Sequence, residues 1–235
     1  TSFASLIKAQ TISYTLDNLL FYNKTFGKHD LGLTFLQSKT GYQYEDSMMA
    51  ANDVKNPENK WNALTPSNVA LSNYSTNIIE SGLLSYMGRV TYGYDNKYLL
   101  TASGRYDGAS QLADGKKWDF FPSASLAWNM NQESFLSDVS WIDQLKLRVG
   151  FGVTGNAAVD PYSTQPPLAG IVYPNGSGLV NNATLGNPDL GWEKTKQINY
   201  GIDFSFANSR ISGTLEYYTS DTTDLLLRRS VPTPT

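Results

Sequence analysis

Cysteine is absent from the 235 residues, so no disulfide framework or thiolate metal site is available. The one histidine, His29, excludes a metal centre built on several imidazoles. Charge is sparse: Asp, Glu, Lys and Arg make up 17 %, against roughly 25 % in soluble domains. Neither sign dominates, and a net charge of −3 gives no electrostatic basis for nucleic-acid binding. Long hydrophobic runs are missing too. The longest are four residues, such as 19–22, where a membrane-spanning helix needs about 20. The first residues show no secretory leader pattern.

What is abundant is polar but uncharged. There are 24 Ser, 20 Thr and 19 Asn, together 63 of 235 residues. Aromatics reach 13 %, led by 15 tyrosines. Such a chain favours strands over helices. It also has the composition of outer-membrane barrels, whose strands alternate lipid-facing and lumen-facing residues.

Period-two alternation marks a strand with one buried face. Ile198, Tyr200, Ile202, Phe204 and Phe206 alternate with Gln197, Asn199, Gly201, Asp203 and Ser205. Leu145, Leu147, Val149, Phe151 and Val153 alternate with Lys146, Arg148, Gly150, Gly152 and Thr154. Weaker copies bring the expected total to eight strands, near 11–26, 30–45, 83–94, 97–107, 119–130, 144–155, 192–206 and 210–226.

The connections sort by length. Tight turns are expected at Gly27–Asp30, Asp95–Lys97 and Ala207–Arg210, each rich in turn-forming Gly, Asn or Asp. Long irregular segments are expected at 46–82, 107–118 and 155–191, and these hold most of the prolines. Short turns on one side and long loops on the other are the asymmetry of a membrane barrel. Residues 131–143 are too long for a hairpin. Phe135, Leu136 and Val139 there have the spacing of a short amphipathic helix, expected near the membrane surface.

Arg89, Arg105 and Arg148 sit mid-strand on the polar face. An arginine in a dry core is costly unless paired, whereas a barrel lumen or an internal plug solvates or pairs it. The three are therefore candidate lumen- or plug-facing residues. The alternation alone fits a soluble sheet with a solvated face equally well; the loop asymmetry and the aromatics favour the membrane. Tyr22, Phe26, Tyr92, Tyr94, Tyr98, Trp128 and Phe206 gather near the short turns, as interfacial girdles do. Lys24, on the outward face, can snorkel to headgroups.

No motif marks a catalytic, cofactor or metal site. Gly150-Phe-Gly-Val-Thr-Gly155 is formally G-x-G-x-x-G, yet no helix follows it and the dinucleotide fingerprint needs one. Asp107, Asp119, Glu193 and Glu216 have no context that pairs two of them for glycoside hydrolysis. His29 is expected exposed in its turn. Asn73-Tyr-Ser and Asn182-Ala-Thr are glycosylation sequons in form only. The loop aromatics Trp61, Tyr162, Tyr173 and Trp192 are candidate stacking platforms for substrate, with loop packing as the equal alternative.

Six blocks then carry a resemblance: Asn23-Lys-Thr-Phe-Gly-Lys-His29, Tyr98 to Ser110, Phe121 to Trp128, Leu145 to Asn156, Asn187 to Thr195 and Tyr217 to Leu227. In content and order they resemble the SusC/RagA-type TonB-dependent outer-membrane transporters of Bacteroidetes. The resemblance implies an all-β fold, an antiparallel transmembrane β-barrel segment of about eight strands out of 22. It further implies a plug domain, a TonB box and a signal peptide outside this chain. It implies a SusD-like surface lipoprotein as partner, TonB acting through the plug, outer-membrane lipid around the wall, and an oligosaccharide or peptide as substrate. A soluble β-rich carbohydrate-binding module, a small complete outer-membrane barrel and an outer-membrane enzyme using Asp107 or Glu216 are the rival readings.

Overall fold

The computed structural model describes residues 2–64, 73–136, 139–166, 168–173, 176–181 and 185–227. The alternating segments form strands β1 (Phe3–Phe26), β2 (His29–Asn52), β3 (Asn73–Tyr94), β4 (Tyr98–Ala109), β5 (Trp118–Asn129) and β6 (Ile142–Asn156). Then come β7 (Leu168–Tyr173), β8 (Gly176–Asn181), β9 (Glu193–Phe206) and β10 (Ile211–Thr223). Eight of these make one antiparallel sheet in the order β1-β2-β3-β4-β5-β6-β9-β10, while β7 and β8 pair only with each other. Each strand of the large sheet lies beside its neighbour in the chain, and β1 and β10 are its edges.

Two compact units share these strands. One holds residues 1–16 and 40–82, the other residues 17–39 and 83–235. In the first, Ala51 and Val54 are buried, with Ala4 and Leu64 packed against them. The second contains all of the tight turns and the three candidate arginines.

The turns explain the register. Gly27 takes a φ of +60°, which costs glycine nothing. Asp95 and Asn96 take φ of 54° and 55° in the three-residue connection between β3 and β4, a left-handed conformation that Asp and Asn tolerate better than most residues. From there the register runs Tyr94↔Tyr98, Val90↔Ala102 and Tyr86↔Tyr106 between β3 and β4. It continues through Ala102↔Ala124, Ala124↔Phe151 and Phe151↔Ile198. Along this row the apolar residues of one strand therefore meet apolar residues of the next.

Three expectations change. Regular pairing extends into segments expected to be irregular: β2 continues to Asn52 and β3 starts at Asn73. Strands β1, β2 and β3 thus reach 24, 24 and 22 residues, about twice the 9–11 that cross a bilayer. The hairpin β7–β8 lies inside the segment 155–191. Among the described residues of 131–143 there is no α-helix. A 3₁₀ turn at Met130–Gln132 leads into further three-residue turns, with Glu133 N bonding Met130 O, Leu136 N bonding Glu133 O and Val139 N bonding Leu136 O. Tight i→i+3 winding suits a connection that must stay close under two strand ends.

Candidate functional site

The apolar face is banded. Near the tight turns a file of rings in contact crosses the strands: Phe26–His29 at 5.1 Å, Tyr94–Tyr98 at 6.5 Å and Tyr98–Trp128 at 6.3 Å are stacked, His29–Tyr94 at 5.0 Å is tilted and Trp128–Phe135 at 6.4 Å is edge-on, all between centroids. His29 is thus a half-buried member of the file, its Nδ1 2.6 Å from the Tyr92 hydroxyl, and not the exposed turn residue expected. A second group of rings lies toward the long loops, with Trp118 against Tyr106 at 4.9 Å and Tyr86 at 6.3 Å. The groups are eight residues apart on β3 and β4 (Tyr86 to Tyr94, Tyr98 to Tyr106) and ten on β5 (Trp118 to Trp128). At about 3.3 Å per residue and a tilt of about 40°, that is a band roughly 20–25 Å tall. Between the rings Val90, Leu100, Leu126, Val149, Phe151, Ile198, Ile202 and Leu215 are all exposed. A shallow depression of about 800 Å³ on this face is lined by Leu100, Leu126, Val149, Tyr200, Ile202 and Leu215. Its carbon walls give a polar substrate almost nothing to bond.

The opposite face is polar and lined with small residues. Arg148 donates through Nε and Nη2 to both carboxylate oxygens of Asp203 at 2.8 and 2.9 Å, and through Nη2 to Glu216 at 2.8 Å. The network ties β6, β9 and β10 together. Gly201, directly opposite Arg148, makes it possible: a Cβ there would lie 3.0 Å from the guanidinium carbon. Arg105 donates from Nε to Asp107 at 2.7 and 2.9 Å and from Nη2 to Ser85 at 3.0 Å. Arg89 is exposed and has no ion pair among the described residues. Of the carboxylates weighed for hydrolysis, Asp119 pairs with Lys194 at 2.5 Å. Glu193 accepts from Asn156 and from Leu226 N. With Asp107 and Glu216 on arginines, all four have structural partners. The Gly150–Gly155 run lies within β6, where Gly150 and Gly152 face Ser125 and Ser123.

Beneath the turns, Glu133 accepts from the Tyr98 hydroxyl at 2.6 Å, Lys97 Nζ at 3.0 Å and Trp128 Nε1 at 3.1 Å. These three donors, Tyr98 foremost, hold its pKa at about 2. A carboxylate depressed in the folded state contributes fully above its unfolded value, about 4.3, and loses that contribution as pH falls through its folded value. The Trp128 indole N–H resonance is therefore expected to stay constant on acidification past pH 4 and to move only toward pH 2. A midpoint near 4.3 would show that the three donors do not hold the charge.

On the long-loop side, β5 and β6 stop pairing beyond Ser123↔Gly152. A small core fills that end: Ala109, Leu112, Phe121 and Trp192, with Leu83, Val153, Ala157, Val159 and Leu190 around it. Trp192 is 7 % exposed. Its ring meets Phe121 edge-on at 5.1 Å and its Nε1 donates to Lys117 O at 2.9 Å. The structure therefore corrects its candidacy as a stacking platform, because packing covers the faces a sugar would use. Gly155 lies under the Phe121 ring, and a Cβ there would also fall 2.9 Å from Trp192. Gly155→Ala is expected to cost about 1–3 kcal/mol by overpacking, read as a loss of loop-side protection from proteolysis. Trp61 and Tyr162 are 52 % and 57 % exposed. Lys60 Nζ lies 5.9 Å from the Trp61 ring, and Tyr162 has a φ of 67°. The side chain of Tyr173 lies outside the described residues. Sequence reasoning missed Phe121, Leu112 and Gly155 as a loop core, since their partners come from three separate connections. The one available signal was the number of apolar residues in loops that otherwise read as polar.

A sheet with a banded apolar face and a polar, cation-bearing face defines the wall of a transmembrane β-barrel. The chain belongs to the TonB dependent receptor-like, beta-barrel family, which its residues 2–235 match. It is 36 % identical to TonB-dependent receptor P3 of Formosa agariphila over 92 % of this chain and 22 % of that protein. It is 35 % identical to TonB-dependent receptor SusC of Bacteroides thetaiotaomicron over 74 % of this chain and 18 % of that protein. In fold it is similar to the RagAB peptide transporter, with a TM-score of 0.87 and 24 % identity over 97 % of this chain and 25 % of the other. The chain thus spans about a fifth of the length of the curated relatives it matches.

Proposed function

We propose that this chain is a wall segment of a TonB-dependent, SusC-like importer in the bacterial outer membrane, taking up oligosaccharides or peptides with a SusD-like surface lipoprotein. All 235 residues belong to one barrel domain, and a plug domain elsewhere in the protein couples it to TonB. The observation that carries this reading is the pair of aromatic groups bounding an exposed apolar band about one bilayer core in height. A soluble binding module would present that band to water, where so large an apolar patch drives association. In this arrangement the apolar face meets lipid, the polar face with Arg89, Arg105 and Arg148 lines the lumen or meets the plug, and Trp61 and Tyr162 stand where loops meet substrate. The protein does no covalent chemistry on its substrate. The test uses the full-length protein in its own outer membrane. Uptake of labelled oligosaccharides and of labelled peptides is compared with the inner membrane energised and de-energised. Energy-dependent uptake of either class, with a lipoprotein retained on purification in detergent, supports the reading. Recovery in the soluble fraction, or uptake indifferent to energy, refutes it.

A further inference from the structure

Strand ladders bind neighbouring strands, but hairpin turns lie beyond the ladders and ordinarily bond within themselves or to water. Here each connection on the tight-turn side is bonded sideways to the next. Lys28 pairs with Asp95 at 2.8 Å, and Lys28 O accepts from Asp95 N at 2.7 Å. Asn129 donates from its backbone N to Lys97 O at 2.7 Å and from Nδ2 to Asn96 O at 2.6 Å. Lys97 and Tyr98 both reach Glu133. Asn131 Nδ2 donates to Asp143 O at 3.3 Å, the Asp143 carboxylate accepts from Ser209 N at 2.8 Å, and Ala207 N donates to Trp141 O at 2.9 Å. The bonds run without a break from the β1–β2 turn to the β9–β10 turn.

Two local irregularities serve these sideways bonds. The register between β6 and β9 slips at Ile142/Gln144, leaving Asp143 as an extra residue outside the ladder. A bulge re-aims the side chain it carries, and this one points Asp143 at the neighbouring turn. In that turn Ala207, Asn208 and Ser209 take φ of 56°, 57° and 59°. Ala and Ser adopt this region only where their surroundings impose it. The N–H groups of Ala207 and Ser209 are the ones donated across to Trp141 and Asp143.

We propose that this bonded rim is a lateral brace, with Asp143 and Glu133 as its hubs, that keeps the wall from splaying at the end where a plug is pulled. The inference rests on the importer reading, which supplies the load. In the full-length protein in nanodiscs, Asp143→Ala is expected to raise hydrogen exchange in the 207–210 turn about tenfold or more, the effect of losing a charge-assisted bond. Asp143→Asn keeps an acceptor and is expected to leave exchange near the parental rate, which separates the bond from general disruption. Adding Glu133→Ala is expected to open the 95–97 turn as well. In cells the double variant is expected to import more slowly, with substrate affinity in the unenergised protein unchanged. Parental exchange in the double variant would overturn the brace. So would faster exchange with parental uptake, because the rim would then bear no load. A parental protein that imports nothing marks failure of the importer reading itself, and the brace falls with it.

Discussion

Val90→Arg is expected to be among the most damaging single changes in the wall, while its neighbour is already an arginine. Val90 lies midway between Tyr86 and Tyr94, pairs with Ala102 and is 40 % exposed. Its position is thus the centre of the apolar band, on the face proposed to meet lipid. An arginine at a barrel's lipid-facing midplane costs about 2–4 kcal/mol. Arg89 pairs with Ser103 on the other face and meets no such cost. The measurement is the urea unfolding midpoint of the full-length protein refolded into lipid vesicles, for Val90→Arg and for Thr91→Arg. Thr91 shares the face of Arg89, so its variant is expected to stay within about 1 kcal/mol of the parent. Equal losses in the two variants would mean that the faces are not lipid and lumen. A harmless Val90→Arg would place residue 90 outside the bilayer.

Trp192→Ala is the second large effect, and it falls on the loops. Trp192 is the largest side chain in the loop core and joins three connections. It packs on Phe121 at the start of β5, donates to Lys117 O in the β4–β5 connection, and shares its core with Ala157 and Leu190. Removing a buried tryptophan costs about 3–5 kcal/mol through lost contact and the cavity left behind. The strand ladders do not depend on it, so the loss is expected to be local. Proteolysis or hydrogen exchange is expected to speed up across 110–117 and 157–166, with β3–β5 protected as before. Ties such as Gln111 Nε2 to Ala157 O at 2.9 Å and Ala113 N to Leu190 O at 2.9 Å would then be too weak to hold the loops alone. A variant whose loops exchange at the parental rate would show that these polar ties suffice.

Much of the wall was legible residue by residue. Ile198 to Phe206 and Leu145 to Thr154 alternate cleanly, and both are strands whose apolar members share one face. Gly27 and Asp95-Asn96 announced their turns, because tolerance of a positive φ is a property of the residue itself. The aromatics were correctly placed near the turns by counting back along each strand. Their stacking was not visible, since Tyr98 and Trp128 are neighbours only once β4 and β5 are in register.

The limits have one cause. Residues 46–52 and 73–82 lack the alternation of a strand, yet they are paired, because a strand already in register extends wherever its neighbour offers backbone partners. Trp192 read as a loop aromatic because Phe121, which covers it, lies 71 positions away. Arg148 was correctly placed on the polar face, while Asp203 and Glu216, which neutralise it, come from two other strands. The bulge at Asp143 left no mark in composition at all. By itself the sequence determined the strands, the turns, and which side chains share a face, since these follow from the period of the backbone and the φ each residue tolerates. Only the tertiary structure decided how far each strand runs, which charges pair, which ring is buried and how the turns are tied, because those depend on register between segments far apart in the chain.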